Sequence, residues 1–149
     1  MTQEKLSLRL RILIVGVGIA ILALVTVLLP SGEGLTRLFS TLFWVLAAVP
    51  CCIALVCSWR IAGNIRRDRS FSEENARLLR RISTLAAVDS AYLFAVETIR
   101  FFFHADPLPM LVFCIAVSAF GVVLSVAFAA LSHLVRKAAL LQEEHDLTI

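Results

Sequence analysis

Four long apolar runs restrict what this chain can fold into. They cover residues 10–29 (LRILIVGVGIAILALVTVLL), 35–59, 82–103 and 108–134. A helix needs about 20 residues to cross a hydrocarbon core of ~30 Å, and each run reaches that length. The second and fourth leave room for tilt or for an extension into water. Charged residues make up 17% of the chain and gather in short blocks between the runs, not over a solvated surface. Hydrophobic residues make up 60%, and the mean hydropathy is +0.90. This is the pattern of an integral membrane protein. A barrel would show segments of about ten residues alternating apolar and polar, and no such period appears. The predicted fold class is an all-α membrane protein. Four transmembrane helices form two antiparallel hairpins in a single domain, with a cytoplasmic helical extension at the C-terminus. The first run is expected to remain as a span, because its apolar stretch exceeds a signal-peptide core of about 7–15 residues.

The connections suggest which way the protein faces. Pro30–Gly34 joins the first two runs tightly, and His104–Pro107 joins the last two. The middle connection, residues 60–81, carries Arg60, Arg66, Arg67, Arg69, Arg77, Arg80 and Arg81. Lys5, Arg9 and Arg11 precede or open the first run, and Arg136 and Lys137 follow the fourth. Of the Lys and Arg residues only Arg37 and Arg100 fall toward the other side. The positive-inside rule then puts both termini and the middle loop in the cytoplasm.

The inner loop and the tail (residues 135–149) are the candidate partner-binding elements. Ser70 and Ser72 both precede Glu73-Glu74 at positions suited to cap a helix, Ser70 with capping-box spacing to Glu73. Arg77, Arg80 and Arg81 lie where the helix enters the lipid headgroups, and anionic lipid attracts each such charge by about 1 kcal/mol, which accounts for them by itself. The alternative is that the loop docks a cytoplasmic protein, with Arg66, Arg67, Arg69 and Arg77 as the candidate contacts. The tail keeps a helical stripe through Leu134, Ala138 and Leu141, then turns acidic at Glu143, Glu144 and Asp146. It either folds back onto the basic loop or presents its leucines to another protein.

The third run carries three charges among apolar residues, in DSAYLFAVETIRFFF. At about 100° per residue, Arg100 lies roughly 20° from Asp89 and Glu97 roughly 80° from it, so all three share a face. Glu97 and Arg100 are spaced to pair. Asp89 is deeper, where a lone carboxylate costs about 3 kcal/mol on insertion scales. Tyr92, Ser118, Ser125 and Thr26 are its candidate neighbours. Asp89 is either polar glue between helices or a proton or ion site. In the fourth run Ser118, Gly121, Ser125, Ala129 and Ser132 recur every three or four residues, a spacing that lets helices approach closely.

Enzymatic signatures are absent from the sequence. The histidines His104, His133 and His145 are scattered, no HExxH or GxSxG occurs, and Cys51, Cys52, Cys57 and Cys114 fall inside the runs as packing residues, with a redox or palmitoylation role as the alternative. No cofactor and no metal are expected. The arginines sit beside the membrane without a recognition module, so direct nucleic-acid binding is not expected either.

Two stretches, RSFSEENARLLRRI and ALLQEEHDLTI, resemble the signatures of a bacterial four-span membrane family known as a domain of unknown function, DUF2975. The resemblance covers nearly the whole chain. It implies a membrane component encoded beside a small helix-turn-helix regulator, and it carries over no catalytic residues. The reading from the sequence is a regulatory or sensory membrane protein that holds such a regulator through its inner loop and tail. The alternative is a small proton-coupled transporter, or an ion-binding protein, built on Asp89. Homo-oligomerisation stays open.

Overall fold

The computed structural model describes residues 3–28, 34–66, 71–103 and 107–147. They form four α-helices: α1 (Gln3–Leu28), α2 (Leu35–Arg66), α3 (Glu73–Phe102) and α4 (Leu108–Leu147). The all-helical class is therefore as expected. Among the described residues three segments are long and apolar enough to cross a membrane: Arg37–Ile65, Glu73–Phe102 and Leu108–His145. Leu38, Leu42, Val56, Val88, Val123 and Val126 are each more than half exposed. Surface of this kind is unfavourable in water and is matched by lipid, while each helix satisfies its backbone groups internally.

The connection predicted over residues 60–81 is mostly helix. α2 continues to Arg66 and α3 begins at Glu73. Leaving an apolar medium does not itself end a helix, and arginine is a good helix former. Ser72 is the cap of α3: its backbone is extended (φ −119°, ψ 150°), and its Oγ accepts the Asn75 N–H at 3.3 Å. Glu73 and Glu74 then occupy the first turn, at the positive end of the helix dipole. Ser70 lies outside the described residues. Ahead of α2, Gly34 adopts φ +74°, and its carbonyl accepts the Leu38 N–H at 3.4 Å. That left-handed conformation is open to glycine without a Cβ penalty.

Hydroxyls on the helices bond to their own backbone. Thr41 Oγ1 donates to the Arg37 carbonyl at 2.8 Å, Ser58 Oγ to Ala54 at 2.8 Å, Thr84 Oγ1 to Arg80 at 3.0 Å and Thr98 Oγ1 to Phe94 at 2.6 Å. Each places a polar group one turn back, where lipid offers no partner. α2 stays helical through Pro50, which has no N–H to give to the preceding turn.

The chain divides into two compact units, Met1–Ser70 and Phe71–Ile149. In the first, α1 and α2 run antiparallel. The Arg11 guanidinium sits 4.9 Å from the centre of the Trp59 ring, and a Cβ on Gly18 would lie 3.5 Å from Leu55 Cδ1. Phe43 and Trp44 pack edge to face, with centroids 5.0 Å apart.

In the second unit α3 and α4 are antiparallel, and their register can be read from hydroxyls. Ser132 Oγ donates to the Ala76 carbonyl at 2.7 Å, and Ser125 Oγ to the Ser83 carbonyl at 2.9 Å. Each contact is seven residues from the next on both helices, the period that keeps one seam facing a partner. One further step brings Ser90 to Ser118, and another brings Glu97 to Leu111. Gly121 lies against Ser90 so closely that a Cβ would overlap its Oγ. Small residues on the seam permit this approach.

Candidate functional site

The polar residues of α3 divide between two faces. Ser83, Ser90 and Glu97 succeed one another at intervals of seven on the seam with α4. All three are buried, and Glu97 is 1% exposed. Asp89 lies about 100° around the helix from Ser90, with Arg100 about 20° from Asp89. Tyr92 is within electrostatic reach of both Asp89 and Arg100. Asp89, Tyr92 and Arg100 therefore share one side of α3, spread over about 16 Å of its axis, while Glu97 belongs to the seam and is linked to them through Arg100.

Glu97, not Asp89, is the most enclosed acid: Asp89 is half-buried, while Glu97 is among the largest fully buried side chains. Arg100 Nε lies 3.9 Å from Glu97 Oε2, at the long end of an ion pair. Apolar neighbours would not compensate an enclosed carboxylate; a guanidinium one turn away does so in part.

The expected neighbours of Asp89 are distributed differently. Ser125 serves Ser83: besides the bond to the Ser83 carbonyl, the two hydroxyl oxygens are 3.4 Å apart. The reason is angular, since Ser83 and Asp89 are about 120° apart on α3. Ser118 is buried opposite Ser90, and its Oγ has no hydrogen-bond partner among the described residues. The side chain of Thr26 lies outside the described residues. Sequence reasoning overlooked Ser83 and Ser90. The signal was present as a heptad: serines at 83 and 90, and at 118, 125 and 132, each seven apart. It also overlooked the stacking of Arg11 on Trp59, which depends on a contact between helices.

The candidate partner-binding residues separate along the chain. Arg77 is exposed and ion-paired to Glu73 at 3.1 Å, a surface pair worth a few tenths of a kcal/mol. Leu141, Glu143 and Glu144 are exposed on the last turns of α4. Arg67 and Arg69 lie outside the described residues, as do the side chains of Arg66 and Asp146. Among the described residues no three His, Cys, Asp or Glu side chains form a group able to hold a metal ion.

The chain belongs to the DUF2975 family, described as a protein of unknown function; the family model matches residues 30–149. Both stretches that carry the resemblance, RSFSEENARLLRRI and ALLQEEHDLTI, fall inside that match. No curated protein matches the chain, and no solved structure does.

Proposed function

We propose that this member of the family is an integral inner-membrane protein with four spans and both ends in the cytoplasm. It acts in regulation or sensing by holding a cytoplasmic partner, and it is not an enzyme. One observation carries the reading: α4 runs on to Leu147, well past the end of its apolar run at Leu134. At ~1.5 Å per residue the helix extends roughly 20 Å beyond the lipid. Leu140, Leu141, Glu143 and Glu144 are exposed on this arm. So short a helix gains little from intrinsic propensity, and its leucines face water. A groove with an apolar floor and a basic rim would bury the leucines and meet the acids.

The distribution of arginine supports the orientation, since all basic residues but Arg37 and Arg100 belong to one side. Arg66, Arg67, Arg69 and Arg77 would contribute the loop half of the partner surface. The family resemblance suggests the partner's nature, a small helix-turn-helix regulator. Any contact with DNA is then the regulator's own.

The test is affinity purification of the full-length chain from its native membrane beside a chain lacking residues 138–149. Co-purification of a DNA-binding protein, lost on truncation while membrane insertion persists, supports the reading. Retention of the same protein by the truncated chain removes the tail from the interface and overturns it.

The polar face of α3 supports a second reading, a small proton-coupled transporter or ion-binding protein using Asp89 and Glu97. Acids inside a membrane helix are costly and often serve a conducted ion. Vesicle flux that is abolished by Asp89→Asn but survives tail deletion would favour it over the regulatory reading.

A further inference from the structure

On one side of the α3–α4 seam a basic pocket opens at the end of the apolar runs. It has a volume of about 450 Å³ and is lined by Arg77, Arg80, His133 and Arg136 over a floor that includes Ala76 and Ser132. Glu73 is also on its wall and is ion-paired to Arg77. No ion pair joins Arg80 or Arg136 to an acid among the described residues. Along α3 the pocket precedes the apolar run that begins at Ile82, and along α4 it spans the end of the run at Leu134.

A second hollow lies farther along the same seam. It has a volume of about 380 Å³, and its walls are almost wholly apolar, with Ala87, Ala91 and Phe94 on α3 and Ile115, Ala119 and Val122 on α4. The two hollows face the same way. Arg80, Ala87 and Phe94 follow at intervals of seven on α3, and Ala129, Val122 and Ile115 do so on α4, and residues seven apart keep nearly the same side of a helix. Alanines make the apolar hollow, because a larger side chain at 87 or 91 would fill it. Ala91 is eleven residues from Arg80, about 16 Å along the axis at 1.5 Å per residue. That is the depth of one leaflet of a ~30 Å core.

We infer that this side of the α3–α4 pair is a binding site for an anionic phospholipid. The phosphate sits between Arg80 and Arg136, with His133 at its edge, and an acyl chain lies in the alanine-lined groove above. Charge selects the occupant at one end and shape at the other. Arginine suits the role because its planar fork meets two phosphate oxygens at once. Basic pockets between membrane helices on the cytoplasmic side recognise acidic headgroups in this way. Arg81 provides an internal comparison, since it has the same charge at the same depth but projects about 100° away from Arg80.

The inference rests on the reading that α3 and α4 cross a membrane, and alkaline extraction tests that reading separately. A chain released from membranes by carbonate would remove the spanning reading. A chain that stays in the membrane leaves only the site in question. The full-length protein, purified in detergent, is then offered phosphatidylglycerol, phosphatidylcholine or inorganic phosphate, and bound ligand is counted by native mass spectrometry.

Phosphatidylglycerol is expected to be retained over phosphatidylcholine. Arg80→Gln and Arg136→Gln should each weaken retention about fivefold, and Arg81→Gln should leave it unchanged. Ala91→Phe, which closes the groove at an exposed position, should weaken lipid retention without lowering the melting temperature. Equal loss in Arg81→Gln and Arg80→Gln would reduce the effect to bulk surface charge and overturn the site. Equal retention of the two lipids would do the same. Inorganic phosphate displacing the lipid, with Ala91→Phe unaffected, would leave an anion pocket without a lipid groove and overturn the assignment of the occupant.

Discussion

Gly121 of α4 rests against Ser90 of α3 with no room for a β-carbon, since that carbon would overlap the serine hydroxyl. Ser90 is buried and donates from its Oγ to the Ala86 carbonyl at 2.6 Å. Gly121→Ala therefore forces Ser90 out of its rotamer or pushes the helices apart. The expected loss is about 1–3 kcal/mol, read from thermal unfolding in detergent. Ser90→Ala removes the overlapping atom and leaves the serine's former Cβ site at 3.4 Å from the new one. The double variant should be less destabilised than the sum of its parts, and strict additivity would show that the two residues do not touch.

The seam serines hold the register and should each contribute modestly. Ser125→Ala removes a donor to the Ser83 carbonyl, and Ser132→Ala removes one to the Ala76 carbonyl. Interhelical hydrogen bonds in membranes average about 0.6 kcal/mol, so each variant should fold with a slightly lower melting temperature. A loss of several kcal/mol from either would mean the hydroxyl has a further role. Ser58→Ala, which breaks only a bond within α2, is the comparison.

Removing Arg100 should cost more than neutralising Glu97. Glu97 is 1% exposed, while the Arg100 side chain is 20% exposed and 3.9 Å from it. Without the arginine an enclosed carboxylate loses its nearest cation, at a cost of roughly 1–3 kcal/mol. Without the carboxylate the arginine can turn its head toward the headgroups. The expected order of stability is therefore Glu97→Gln above Arg100→Ala, with the double variant recovering part of the loss. Chemical denaturation of the three variants in one detergent checks the order, and the reverse order would rule out this account of the pair.

Gly34 should resist replacement for backbone reasons alone. Its φ is +74°, and nothing lies within 4 Å of a Cβ placed there. Gly34→Ala then costs about 1–2 kcal/mol through the left-handed conformation, with no steric clash. Gly34→Asn should cost less, because asparagine tolerates that region better than alanine. Equal effects of the two substitutions would point to something other than the dihedral angle.

The sequence by itself determined that the chain is helical and that much of it suits lipid. Those properties depend on run length and composition, which are local. The cap of α3 was legible down to a choice between Ser70 and Ser72, because capping needs only neighbouring residues. The common side of Asp89 and Arg100 and the pairing of Glu97 with Arg100 were legible from helical periodicity. Which acid is enclosed was not, because burial depends on neighbours that one helix does not specify. Ser125 was offered to Asp89 by composition, and the register of α3 on α4 gave it to Ser83 instead. That register also put Arg80 and Arg136 on the wall of one pocket and lined the alanines up along the same side. Two apolar helices can slide past one another with little change in buried oil, so only side-chain contacts such as Ser90 on Gly121 fix where they stop.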